Sequence, residues 1–423
     1  MMDFTDNNSF GYSPSSEDSF PADAFTGGAK IKVVGVGGAG NNAVNRLIDS
    51  GLHGAEYIVV NTDNQALALS KATKRIRIGG ELTKGLGAGA DPTIGQRAAE
   101  QSKDELQAVL KDTDLLFITA GMGGGTGTGA APVIAKIAKD MKILTVAVVT
   151  LPFSFEARRR MDNAMAGVEE LRKHVDSIII IPNDKIREVV PPNTSFTEAL
   201  RVADDVLRQG IRGITELIVN PSLINLDFAD VRTTLKGRGV AHMGIGVAKG
   251  EKRISDAVRC AVCSPLLNTT IEGATSVILN VVGDKDLTLD EVWVAADLVK
   301  GVIDYSANVI FGACIDENMH DEVEVVIIAT GFDNQTIAPS SSADTYRTAS
   351  QLSERIQRAE IDRANGVAFQ PAQPLTDTPV EEEPVAFEPD DPIPEKKEEK
   401  PTPEKKRRPR FVDFFIKKKD NDK

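Results

Sequence analysis

Six of the nine residues in Gly121-Met-Gly123-Gly124-Gly125-Thr126-Gly127-Thr128-Gly129 are glycine. Such a run loses much conformational entropy on folding and packs no side chains, so a fold that keeps it must be using bare backbone. It stands between an apolar stretch at 115–120 and an Ala-rich, helix-like stretch at 131–139. Backbone N–H groups gathered at a strand-to-helix turn, on the positive end of the helix dipole, form a nest for a multiply charged anion. Two threonines add hydroxyl donors.

Two further loops share this character. Gly35-Val-Gly37-Gly38-Ala39-Gly40 follows the β-branched run 31–36, opens a helical pattern and fits GxGxxG. Asp63 lies beyond the next strand candidate, near the offset of a ribose-binding acid in dinucleotide folds. An NAD(P)-dependent oxidoreductase is therefore one reading, but it leaves the second glycine loop unexplained. The third loop is Gly85-Leu-Gly87-Ala88-Gly89-Ala90. Three backbone-donor loops suit a triphosphate better than a diphosphate bridge. The Gly-Lys-Ser/Thr ending of a P-loop is absent from all three.

From 30 to about 330, short apolar runs alternate with longer helical patterns. Strand candidates are 31–36, 57–61, 115–120, 143–150 and 177–182; helix candidates include 41–50, 94–111 and 131–139. Such alternation predicts an α/β fold, a doubly wound parallel sheet covered by helices on both faces. A long helix is predicted over 195–219 with Thr197 as its cap, since Leu200, Ala203, Leu207, Ile211 and Ile214 recur every three or four residues. Strand candidates 240–248, 274–282 and 323–330 predict a smaller mixed second unit. The expected division is a disordered tail at 1–29, a nucleotide domain at 30–194, a central helix at 195–220 and a second domain at 221–331. A linker at 332–404 and a basic-aromatic peptide at 405–423 follow, with a short weak helix within 340–366.

Residues 377–399 carry ten acids and two lysines, a net −8. A segment of that composition cannot bury enough apolar surface to offset its ordering entropy. The sign then reverses: 405–423 holds nine bases and three acids, a net +6, around Phe411, Phe414 and Phe415. That is the pattern of a recognition peptide. The whole chain has 49 basic and 62 acidic residues, so 49 − 62 gives −13, which argues against nucleic-acid binding. Three cysteines cannot build a disulfide framework. Cys260-Ala-Val-Cys263 has redox or metal spacing, but two small side chains in a helical run read more simply as core. The four histidines, His53, His174, His242 and His320, are scattered and outline no zinc site. No apolar run reaches the ~20 residues of a membrane span, and no secretory leader is visible, so a soluble cytoplasmic protein is expected.

Gly123-Gly-Gly-Thr-Gly-Thr-Gly129, with Asn61-Thr-Asp63, Pro152-Phe-Ser-Phe-Glu156 and Asn225-Leu-Asp-Phe-Ala-Asp230, resembles the tubulin/FtsZ superfamily, and within it the FtsZ family of bacterial cell-division GTPases. The resemblance spans about 30–331. It implies a GTPase domain, a central helix, and a second domain with a catalytic loop. It also implies binding of GTP or GDP with Mg²⁺ and head-to-tail self-assembly into the filaments of a mid-cell division ring. By the same resemblance, Gly37, Gly38, Ala39, Gly40 and Asn41 with Gly124, Gly125, Thr126 and Gly127 hold phosphates. Ala88, Gly89 and Ala90 lie near the terminal one, and Asn61 and Asp63 belong to the nucleotide site. Glu156 and Arg160 sit at the ribose. Asn41 and Asp204, with Asp205 as the register alternative, bind guanine, whose N1–H and amine are donors a carboxylate can accept. Some members place an aromatic one turn before that acid; here it is Leu200.

Asp227 and Asp230, unremarkable as an isolated Asp-x-x-Asp, become through the resemblance the water-polarising acids, with Asn225 beside them. A helix of some 25 residues spans roughly 35 Å, so one chain can hardly join acids and glycine loops, whereas two stacked chains can. The tail peptide is implied to recruit membrane-anchoring and regulatory division proteins, touching the membrane indirectly. It departs from the usual form, reading Pro409-Arg-Phe-Val-Asp-Phe-Phe-Ile-Lys417. A filament scaffold that binds GTP without hydrolysing it is the remaining alternative, and both acids argue against it.

Overall fold

A computed structural model describes residues 29–191, 193–219, 227–264, 271, 273–303, 306–317 and 319–332. The strands are β1 (Ile31–Val36), β2 (Ala55–Asn61), β3 (Lys74–Arg77), β4 (Leu115–Gly121), β5 (Leu144–Leu151), β6 (Ser177–Pro182), β7 (Gly239–Lys249), β8 (Ser276–Gly283), β9 (Asn308–Ile315) and β10 (Glu322–Thr330). The helices of the first half are α1 (Gly37–Asp49), α2 (Asn64–Ala68), α3 (Gly80–Thr83), α4 (Pro92–Gln101), α5 (Lys103–Val109), α6 (Thr126–Asp140), α7 (Arg158–Arg172) and α8 (Ile186–Val189). Then come α9 (Phe196–Val219), α10 (Phe228–Leu235), α11 (Arg253–Val262) and α12 (Leu289–Lys300).

The strands form one sheet in the order β3-β2-β1-β4-β5-β6-β7-β10-β8-β9. From β3 to β7 every pair is parallel. β7 is the joint: it pairs with β6 only through Gly239 and Val240, then runs antiparallel to β10 along its whole length. The doubly wound expectation holds. Alternate residues of a strand serve opposite layers, as a period of two requires. In β4, Leu115 and Phe117 pack with α1 and the buried stripe of α9, while Leu116 and Ile118 pack with α4, α5, α6 and α7. A third cluster fills the space between α11, α12, β8 and β10.

Several local expectations are corrected. The cap of α9 is Ser195, whose Oγ accepts from Glu198 N at 3.2 Å, rather than Thr197. The single helix expected over 94–111 breaks at Ser102, where α4 ends and α5 begins. Strands β3 and β9 were not foreseen. Nor do both cysteines of the Cys260–Cys263 pair enter the core: Cys260 is exposed and Cys263 half-buried, while Ala257, Val258, Ala261 and Val262 form the buried face of α11. The expectations for 1–29, 332–404 and 405–423 fall outside the described residues, except at Ala29 and Phe332. Phe332 packs its ring edge-on against His242, centroids 4.1 Å apart.

His242, on β7, is 3% exposed. Burial pushes its imidazole from 6.5 down to about 3. The unfolded chain takes up a proton near pH 6.5 and the folded chain does not. Stability from this residue is therefore intact above pH 6.5 and is lost as pH falls toward 3, by at most about 1.4 kcal/mol per pH unit. Thermal melts of nucleotide-free protein at pH 7.5, 6 and 5 should show a shallower pH slope in His242→Gln than in the wild type. Parallel slopes would contradict a neutral buried imidazole.

Candidate functional site

β1 and β4 are neighbours, but the chain leaves β1 toward β2 and leaves β4 toward β5. This is a topological switch point, where the crevice beyond the carboxyl ends of the strands is open to a ligand. α1 starts at Gly37, directly after β1, and α6 starts at Thr126, shortly after β4. Neither helix has a side-chain cap or an acid in its first turn, so first-turn N–H groups of both face the same crevice without side-chain partners. Gly123 N is the exception in the loop, donating to Thr128 Oγ1 at 2.7 Å.

The three glycine loops are packed together. A Cβ on Gly37, whose φ is +73°, would lie 2.9 Å from Gly127 N. One on Gly125 would lie 2.8 Å from Ala88 Cβ and 3.0 Å from Asp91 N. By contrast, a Cβ on Gly38, Gly89 or Gly124 would meet nothing within 4 Å. The first set holds the loops in contact, and the second leaves an open cradle. Thr62 and Thr126 share a hydroxyl hydrogen bond of 2.7 Å, which fixes the start of α6 to the end of β2. A separate cleft of about 690 Å³ opens between α4, α6 and α7. It meets the third loop's edge at Asp91, and none of Gly37–Asn41 or Gly123–Gly127 lines it.

Asn41 is 3% exposed. In the amide orientation that satisfies its neighbours, its nitrogen donates to Gly37 O at 2.9 Å and Gly35 O at 3.0 Å, and its oxygen accepts from Asn61 Nδ2 at 3.2 Å. Asn41 and Asn61 thus brace the first loop. Asp63 caps α2 by accepting from Gln65 N at 2.8 Å. Asn42, next in sequence, is exposed and lies one turn before Arg46 on α1. Arg46 Nε donates to Asp204 Oδ2 on α9 at 3.4 Å. Burial pushes the Asp204 carboxyl up, opposed by the Arg46 charge. Asp205 is tied down its own helix, accepting from Arg208 Nε at 2.6 Å and Gln209 Nε2 at 3.1 Å. Of the two register alternatives, Asp204 is the one that faces α1.

Glu156 follows β5 at the same edge. Its Oε1 accepts from Phe153 N at 2.9 Å, and its Oε2 lies 3.1 Å from Arg160 Nη1. Arg160 in turn abuts the second loop, since a Cβ on Gly123 would come 2.7 Å from Arg160 O. Asn183, just past β6, is 9% exposed, and its buried Oδ1 has no hydrogen-bond partner among the described residues. Asn42, Arg46 and Asn183 were not singled out from sequence. The only available signal was the i, i+4 spacing of Asn42 and Arg46.

Asp227 and Asp230 lie elsewhere. Asp227 occupies the N-cap position of α10, yet its side chain makes no cap bond, and both acids are exposed. The end of α10 is held at the amino edge of the sheet. Ser177, first residue of β6, donates from Oγ to Leu235 O at 2.6 Å. Asp176 accepts from Thr145 N at 2.9 Å and Gly237 N at 3.2 Å. The glycine loops follow the carboxyl ends of β1 and β4, whereas α9 ends at Val219 against Gly54, just before β2, and the helix that carries both acids is tied at its far end to the amino edge. α9, of 24 residues, runs about 36 Å between its ends. Asn225 lies outside the described residues.

Residues 30–191 match the Tubulin/FtsZ family GTPase domain, and 239–333 match the FtsZ family C-terminal domain. An empty FtsZ dimer from M. jannaschii is similar at 49% identity, covering 72% of this chain and 88% of that one, with a TM-score of 0.69. A mutant FtsZ from M. jannaschii gives 49% identity, 72% and 92% coverage, and a TM-score of 0.70. CetZ2 from Haloferax volcanii, a GTPγS-bound protofilament, shares the fold at 20% identity, 78% and 99% coverage, and a TM-score of 0.62. With both family matches on one tubulin-like fold, the chain belongs to the FtsZ family and is a GTPase.

Proposed function

We propose that the chain assembles head to tail with copies of itself and hydrolyses GTP in a site shared between neighbours. The observation that carries this reading is the separation of the uncapped glycine cradle from Asp227 and Asp230, which follow the far end of α9. In an open head-to-tail stack the acids of one subunit meet the cradle of the next, and the contact repeats without closing.

N–H groups of Gly37, Gly38, Ala39 and Gly40 and of Gly124, Gly125, Thr126 and Gly127 hold the phosphates, with Ala88, Gly89 and Ala90 at the terminal one. Glu156 and Arg160 bind the ribose. Guanine enters between α1 and α9, where Asp204 accepts from its N1–H and amine. Asn42 and Asn183 supply polar contacts that Asn41, turned inward, cannot. Among the described residues no three His, Cys, Asp or Glu side chains cluster as a metal site. Mg²⁺ would therefore be held mainly by phosphate and water, the usual arrangement, and supplies charge neutralisation when bound. Asp227 and Asp230 orient and polarise the attacking water, with Asn225 beside them. Nucleotide domain, central helix and second domain divide near 194 and 220.

The wider reading is a cytoplasmic filament of the cell-division ring. Residues 405–423 recruit a membrane anchor across the acidic linker, with Phe411, Phe414 and Phe415 as anchors in a partner's groove and the bases facing anionic lipid.

Gly124→Asp adds a carboxylate where a side chain meets open space. It should keep the wild-type melting temperature and lose GTP binding by at least tenfold in a filter or fluorescence assay. Unchanged affinity would move the phosphates elsewhere. Asp230→Ala should bind GTP normally but turn it over roughly 10²–10³-fold more slowly. Its polymers should persist in sedimentation assays. Mixing the two should restore hydrolysis, because the first offers intact acids and the second an intact cradle. Co-sedimentation of the pair without recovered activity would count against the shared site.

A further inference from the structure

At the amino edge of the sheet the ends of three helices come together. α6 ends at Asp140 before β5, α7 ends at Arg172 before β6, and α10 ends at Leu235, held to Ser177 at the start of β6. Between these ends lies a cavity of about 370 Å³, within the size range of small-ligand pockets. Its lining is basic. Lys139, Lys142, Arg232 and Lys236 line it with His174, and Asp176 is the one acid among the described residues around it. In a chain whose net charge is −13, this local sign is the reverse of the whole.

Helix C-termini attract cations, so part of this charge serves the helices themselves. Lys139 does so: its Nζ donates to Lys173 O at 2.7 Å, at the end of α7. Asp176 is occupied too, because its two carboxylate oxygens accept from the backbone N–H groups of Gly237 and Thr145. Lys142, Arg232 and Lys236 are exposed and have no carboxylate partner among the described residues.

The local backbone accounts least for Lys142. Ile143 N donates to Ala138 O at 3.0 Å and Lys142 N to Lys139 O at 3.0 Å, the two bonds of a Schellman turn closing α6. Lys142 holds the left-handed position of that turn, with φ +60°, where glycine or asparagine is the less strained choice. A lysine there adds a charge that the turn does not need. Across the recess, Arg232 and Lys236 stand one turn apart at the end of α10. Like charges gathered without a counter-charge repel. A multiply charged anion relieves that repulsion and accepts from both guanidinium and ammonium donors.

We propose that this recess is a second anion site, which takes a phosphate group on Lys142, Arg232 and Lys236. It is separate from the cradle, since no residue of the three glycine loops lines it. The phosphate group belongs either to a free phosphate compound or to a lipid headgroup. Once bound, it joins the end of α10 to the turn that opens β5.

Two probes test the site on full-length protein saturated with GDP, so that the cradle is filled. They are inorganic pyrophosphate, followed by calorimetry, and vesicles containing phosphatidic acid, followed by co-sedimentation. At least one should bind, and Lys236→Glu should weaken it roughly tenfold or more, the scale of losing a charge-assisted hydrogen bond. Lys142→Gly separates binding from folding. It removes the strained lysine, so it should melt no lower than the wild type and still weaken the probe by a similar factor. Pyrophosphate binding alone assigns a free phosphate compound, vesicle capture alone assigns the headgroup, and both together mean that the site accepts either. Binding of neither probe overturns the proposal. So does binding that either variant retains in full, which would place the anion on other bases of the chain.

Discussion

Gly37 and Gly127 meet backbone to backbone, with no room for a side chain between them, and this contact brings the starts of α1 and α6 to one point. Two helix N-termini without side-chain caps are costly to keep side by side, because their partial positive charges repel and their N–H groups lack partners. A polyphosphate removes both penalties at once. The rest of the carboxyl edge is arranged around this pair: Thr62 holds Thr126, Ala88 presses on Gly125, and Asn41 with Asn61 stiffens the first turn.

Parallel strands give the sheet two chemically distinct edges. Because β1, β4, β5 and β6 all run the same way, the loops after these strands lie at the carboxyl edge, and the loops before them lie at the other. α9 carries the chain from the first edge to the second, and α10 is then tied there through Ser177 and Leu235. The polarity proposed for the filament is thus the polarity of the sheet. The sheet continues through β7 into the second half, so the two halves of the chain share one continuous sheet.

Strands buried on both faces were readable from sequence: β1 and β6 end where their apolar runs end. β3 was not, because Lys74-Arg-Ile-Arg77 buries only Ile76 and lies at the sheet edge. Ser102 interrupts an otherwise periodic helical pattern for a tertiary reason, its Oγ accepting from Gly79 N at 3.3 Å. Glycine loops announce themselves because bare backbone has few other uses. The face that α1 turns toward α9 does not: Asn41 and Asn42 are the same residue type one position apart, and only the roughly 100° turn between them decides which faces in. The proposed separation of the two site halves was suggested by helix length, and the structure gives α9 24 residues and ties the far end of α10 to the amino edge.

The most direct test of a site built between subunits is the GTPase rate per chain measured across protein concentration, with assembly state followed by light scattering in the same samples. The account predicts negligible turnover in dilute monomer and a steep rise once filaments form, at unchanged GTP occupancy. A constant rate per chain that persists in demonstrably monomeric samples would contradict it.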